Sequence, residues 1–114
     1  MFKKLLIANR GEIAVRIIRA AQDLGITTVS VYARDDTGAL HTTLADESVA
    51  LDATGPAAYL DINTLVAVAR QHGCEAVHPG YGFLSERADF AQACADAGLV
   101  FIGPTPAQLA LFGD

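Results

Sequence analysis

The stretch KLLIANRGEIAVRIIRAAQDLGITTVSVY, residues 4–32, contains one complete strand–helix–strand unit. Its opening run, Lys4 to Ala8, is short and apolar without alternation, which suits a strand covered on both faces. From Gly11 the spacing changes: Ile13, Ile17, Ala20, Ala21 and Leu24 recur at helical intervals and define the expected inner face of a helix. Glu12, Arg16, Arg19 and Asp23 fall on its outer side. Gly25 supplies the left-handed residue that ends a helix, and Thr27 to Tyr32, rich in β-branched residues, reads as a second strand. A crossover of this kind is right-handed and makes the two strands parallel.

Working outward, residues 34–38 read as a polar loop, Ser48 to Leu51 as a third strand, and residues 53–56 as a turn. Asp61 is placed to cap a helix with Leu65, Val66, Val68 and Ala69 inward and Gly73 beyond its end. Glu75 to His78 reads as a fourth strand. Ser85 is the expected cap of a helix carrying Phe90, Ala91, Cys94 and Ala97, ended by Gly98, and Leu99 to Ile102 reads as a fifth strand. A last helix is expected from Thr105, Pro106 and Gln108, whose order follows the capping box with proline at the first helical position. The chain stops soon afterwards at Gly113-Asp114, which reads as a cut or as a junction into a following domain. Strands alternating with helices predict an α/β fold, a doubly wound parallel sheet of about five strands with helices on both faces.

The composition fits one domain of 114 residues, with 52% hydrophobic and 18% charged residues, too apolar for a disordered segment. The net charge of −5 and the lack of any dense Lys/Arg block argue against nucleic acid as a partner. Asn9, Arg10 and Glu12 end the first apolar run too early for an export signal, and no membrane span is expected. Cys74 and Cys94 lie far apart without a CxxC pair, and both are expected to be small buried hydrophobes. A cytoplasmic location is expected from that cysteine usage.

In a sheet of this kind ligands sit beyond the carboxyl ends of the strands, so function is sought in the strand-to-helix loops. Asn9-Arg10-Gly11-Glu12 leads from the first strand into the first helix, where Gly11 permits close backbone approach and the free amides favour an anion. A tight turn with a surface arginine accounts for the same residues. Neither a G-x-G-x-x-G fingerprint nor a G-x-x-x-x-G-K-[ST] loop is present. His78 to Glu86 leaves the fourth strand, with Gly80 and Gly82 flanking Tyr81, Phe83 beside them, and Glu86 expected at a helix start. Two aromatics inside a glycine loop exceed what a turn requires, and a Gly82→Val change is expected to crowd the loop. His41, His72 and His78 share no metal-ligand spacing, no complete catalytic set is visible, and a lone histidine at a strand end reads first as a hydrogen-bonded structural residue.

Four stretches then carry a resemblance: residues 7–14 (IANRGEIA), 44–47 (LADE), 78–86 (HPGYGFLSE) and 101–104 (FIGP). Over its whole length the sequence resembles the N-terminal, Rossmann-like domain of biotin carboxylases, the biotin-dependent branch of the ATP-grasp superfamily. The carbamoyl-phosphate synthase large chain shares this fold, but the first and third motifs are those of the carboxylases.

The resemblance implies part of an ATP-dependent ligase, within an acyl-CoA, pyruvate or urea carboxylase, that carboxylates carrier-bound biotin with bicarbonate through carboxyphosphate. Residues 1–114 then correspond to the domain preceding the ATP-grasp domain. ATP, Mg2+ and biotin are cofactors of the full enzyme and none is expected to be held firmly by this portion, which carries no catalytic or metal-binding residue and is expected to be inactive alone. The lysine that usually follows the Gly113-Asp114 pair in the family is expected to lie outside this portion. Gly80, Tyr81, Gly82 and Phe83 match the family's wall of the biotin and bicarbonate site, and Asn9, Arg10, Gly11 and Glu12 a loop that shapes the cleft. Arg16, Arg19 and Asp23 fall where the family forms a homodimer contact, although a solvated helix face explains their charges equally well. The implied partners are the ATP-grasp domain of the same polypeptide, a biotin carboxyl carrier domain and a second copy. A stand-alone binding or assembly module with the same fold is the alternative.

Overall fold

A computed structural model describes residues 2–103. Five parallel strands, β1 (Lys4–Ile7), β2 (Thr27–Tyr32), β3 (Glu47–Ala50), β4 (Ala76–His78) and β5 (Val100–Phe101), form one sheet in the order β3-β2-β1-β4-β5. Helices α1 (Gly11–Asp23), α2 (Leu40–Leu44), α3 (Ile62–Gln71) and α4 (Ala88–Asp96) connect them. The expected doubly wound fold is the one observed. The expected helix beginning near Thr105 lies outside the described residues.

The faces of the sheet are divided by the pleat. Along β1, Leu5 and Ile7 join Ala14, Ile18 and Ala21 of α1 on one side, while Leu6 and Ala8 join a larger cluster with α3 and α4 on the other. Cys94 belongs to that larger cluster, where Phe90 and Phe101 meet edge to face with ring centroids 5.8 Å apart. Cys74 and Cys94 are buried and free, and burial pushes both thiols up to about 11. This is the inert environment anticipated for them.

The inner face of α1 differs from the expected one. Ala14, Val15, Ile18 and Ala21 are buried, whereas Ile13 and Ile17 are half-buried, and Ala20 and Leu24 are exposed. This helix is apolar over much more than one stripe, so spacing alone could not choose which stripe meets the sheet. Asp61 caps α3 as expected, accepting from the Thr64 backbone N–H at 3.1 Å. Ser85 caps nothing: its own backbone N–H closes a turn on Gly82 O at 2.9 Å, and α4 begins only at Ala88. Glu86 therefore stands exposed outside the helix rather than at its first turn.

Two short elements were not anticipated. Leu40–Leu44 forms a short helix that buries its own His41, with Nε2 3.1 Å from Val31 O, and Pro56–Leu60 forms a 3₁₀ turn that buries Tyr59. The motif at residues 44–47 lies at the amino ends of the strands. There Asp46 accepts from the Thr28 backbone N–H at 2.8 Å, and Glu47 pairs with Lys4 at 2.6 Å.

Candidate functional site

The strand order reverses direction at β1. The chain runs outward through β2 and β3, then crosses back to place β4 on the other side of β1, with Ile7 opposite His78. A crevice opens at such a switch point, beyond the carboxyl ends of the two diverging strands. The loops at residues 9–12 and 78–86 both start there, so tertiary structure joins the two candidate sites into one.

Asn9 makes the join. It is fully buried, and its Nδ2 donates to Pro79 O at 2.8 Å and to Tyr81 O at 2.7 Å, while Oδ1 accepts from Arg10 N at 2.7 Å. Gly80 lies directly against this amide. A Cβ there would stand 2.8 Å from both Asn9 Nδ2 and Ile13 Cγ2, at a backbone φ of +67°. Gly80, not Gly11, is the glycine that allows close approach: a Cβ on Gly11 or on Gly82 would meet nothing within 4 Å. A valine at position 82 would thus be opposed by the left-handed φ of +62° rather than by crowding.

The four glycine-loop residues separate into two roles. Tyr81 projects outward, 71% exposed, and with Gly80, Glu12, Ile13, Ile17 and His78 lines an open cavity of about 540 Å³. Phe83 turns inward instead, half-buried at φ +47°, with its ring centroid 5.5 Å from that of Tyr59. Of the two loop aromatics only Tyr81 is exposed. His78 is the hydrogen-bonded residue anticipated. Its Nδ1 accepts from Gly80 N at 3.1 Å, which leaves the proton on Nε2, and burial lowers its pKa.

Arg10 pairs with the segment after β2 rather than with the glycine loop. Its Nε and guanidinium NH2 hold the two oxygens of Asp36 at 2.7 and 2.8 Å, and Asp36 also accepts from the Tyr59 hydroxyl at 2.6 Å. Tyr59 in turn accepts from Ala33 N at 2.9 Å. The Arg10 guanidinium, with help from the Tyr59 hydroxyl, holds the Asp36 carboxyl down at about 2, against opposition from burial. The same carboxylate raises Arg10, while burial and Asp36 raise Tyr59. Sequence reading missed both Asp36 and Tyr59, since nothing local marks residues 26 and 49 positions away as partners of Arg10 and its neighbour.

Arg16, Arg19 and Asp23 are exposed on α1, as expected for its outer side. Arg16 reaches Glu12 across one turn at 3.4 Å, an exposed pair of small energetic weight. Among the described residues no three His, Cys, Asp or Glu side chains gather where they could hold a metal ion. No helix there is long and apolar enough to cross a membrane. Among the described residues the charge of Arg10 at the start of α1 is already taken up by Asp36, and the sequence holds no G-x-x-x-x-G-K-[ST] phosphate loop. The described residues therefore do not fit Mg2+–ATP.

Comparison with known proteins agrees with this geometry. Residues 1–109 match the family model described as biotin carboxylase, N-terminal domain. Mitochondrial pyruvate carboxylase of Rattus norvegicus is 55% identical over 114 residues, covering 98% of this chain and 10% of its own length. The biotin carboxylase of Nostoc sp. (strain PCC 7120) is 52% identical, covering 99% of this chain and 26% of its own. A solved biotin carboxylase domain of a single-chain bacterial carboxylase superposes with a TM-score of 0.95 at 63% identity, covering 97% of this chain and 26% of that one. The chain thus spans about a tenth to a quarter of the length of these relatives. With that match running through both loops of the crevice, the chain belongs to the biotin carboxylase N-terminal domain family.

Proposed function

We propose that this chain is the opening portion of an ATP-dependent biotin carboxylase. In this reading bicarbonate is activated as carboxyphosphate, and the carboxyl group passes to N1 of biotin carried on a separate domain. The observation that carries it is Tyr81, an exposed ring on a glycine loop at the switch point, with one side of a cleft already built beneath it. A phenol ring with the half-buried Ile13 and Ile17 gives an apolar wall suited to the ring system of biotin, and the Nε2–H of His78 adds a donor at its edge.

The remaining chemistry falls to an ATP-grasp domain following in the same polypeptide. ATP and Mg2+ would be held there, and this portion alone would bind none of them firmly. A biotin carboxyl carrier domain is the partner that delivers the substrate ring. The exposed charges of Arg16, Arg19 and Asp23, beside the uncovered Leu24, support a contact with a second copy. A cytoplasmic location goes with the two unpaired cysteines.

Bicarbonate-dependent ATP hydrolysis stimulated by free biotin tests the reading. The 114-residue chain alone is expected to show none, and the polypeptide extended through the following domain is expected to show it. Persistent inactivity of the extended polypeptide, or turnover by the short chain alone, would overturn the assignment.

A further inference from the structure

We infer that Asn9 is a positioning residue: it pins the glycine loop so that Tyr81 is presented to the cleft in one fixed geometry. For catalysis the inference rests on the biotin carboxylase reading; for the loop itself it rests only on the contacts of Asn9.

Those contacts admit one orientation of the side chain. Two carbonyl oxygens, of Pro79 and Tyr81, require the NH2 group, and the N–H of Arg10 requires the oxygen. Both amide hydrogens are thereby committed to one three-residue segment, with Gly80 between the two carbonyls, where a Cβ would stand 2.8 Å from Nδ2. The segment needs such a clamp. Gly80, Gly82 and Phe83 all take left-handed angles, and backbone of this kind persists only where the surroundings over-determine it. Below the loop, Ala8 N donates to His78 O at 2.9 Å, so the clamp spans the ends of two strands already bonded to each other. Tyr81 itself is largely in solvent, and among the described contacts its place is set through its backbone carbonyl rather than its ring.

No residue of similar shape can replace the amide. Leucine has no donor, and an aspartate carboxylate would face two carbonyl oxygens with an oxygen of its own. Hydrogen–deuterium exchange by mass spectrometry on the full-length polypeptide is therefore compared for the unaltered protein, Asn9→Leu and Asn9→Asp. Peptides covering residues 79–86 are expected to exchange at least about tenfold faster in both variants, with peptides from β2 and α3 within about twofold. In the same variants the KM for free biotin is expected to rise at least about tenfold while the KM for ATP stays within about twofold. Unchanged exchange over residues 79–86, loosening spread evenly over the whole domain, or a loosened loop with an unchanged biotin KM would each overturn the inference. If the unaltered polypeptide carboxylates no biotin, the functional reading falls. The exchange comparison, which needs no substrate, still upholds or rejects the pin.

Discussion

Gly80 and Gly82 sit two positions apart with nearly the same φ, yet only Gly80 is boxed in. A methyl group on Gly82 would project into open space and add only the strain of a left-handed alanine, about 1–2 kcal/mol. On Gly80 it would also strike Asn9 and Ile13, so the pin and the first turn of α1 would both have to move. Gly80→Ala is expected to destabilise the domain by about 3 kcal/mol or more, and Gly82→Ala by only about 1–2 kcal/mol. Urea unfolding compares them directly, and equal losses would mean that the contact with Asn9 carries no weight. The G-x-G pattern was visible in the sequence, but its unequal use was not, because the group that makes Gly80 indispensable lies 71 residues away.

Among the elements, α1 shows most clearly what periodicity can and cannot decide. Its apolar residues cover Ile13, Ala14, Val15, Ile17, Ile18, Ala20, Ala21 and Leu24, enough for two adjoining stripes. The sheet takes one of them and the crevice takes part of the other, since Ile13 and Ile17 line the cleft beside Tyr81. Ile18→Ala is accordingly expected to cost about 2–5 kcal/mol, and Leu24→Ala, 66% exposed, about 0.5 kcal/mol or less. Thermal and urea unfolding of the two variants distinguish the observed face from the one suggested by spacing. Capping signals were similarly uneven. Asp61 was legible because its carboxylate meets the amide three residues on, a wholly local arrangement. Ser85 had a suitable position but its segment is held in the loop geometry that ends only at Arg87, so the helix starts later.

At the scale of the molecule, the buried network around β2 governs the response to pH. His41 is 1% exposed, its Nε2–H is taken by Val31 O, and its Nδ1 has no hydrogen-bond partner among the described residues. Burial lowers its pKa from the ordinary 6.5, against weaker opposition from the Val31 carbonyl and then Asp36, and burial lowers that of His78 as well. The unfolded chain therefore binds protons that the folded chain refuses, so stability falls as pH drops below about 6.5. Asp36 acts lower down: its contribution is complete above its ordinary 3.8 and disappears as pH falls towards about 2. Urea midpoints measured from pH 8 to pH 4 are expected to decline through the histidine range, and His41→Phe is expected to flatten that slope while leaving the part due to His78. A slope untouched by the substitution would assign the effect elsewhere. Taken by itself, the sequence determined the alternation of strands and helices, the parallel sheet and the family motifs, because hydrophobic spacing, caps and glycine stops act over a few neighbouring residues. Only the tertiary structure decided that residues 9–12 and 78–83 form one site, which stripe of α1 is covered, and that Arg10 belongs to Asp36. The joining of the two loops depends on β4 returning to the far side of β1, a pairing across some 70 residues, and the Arg10–Asp36 pair on the packing of β1 beside β2, neither of which a local pattern encodes.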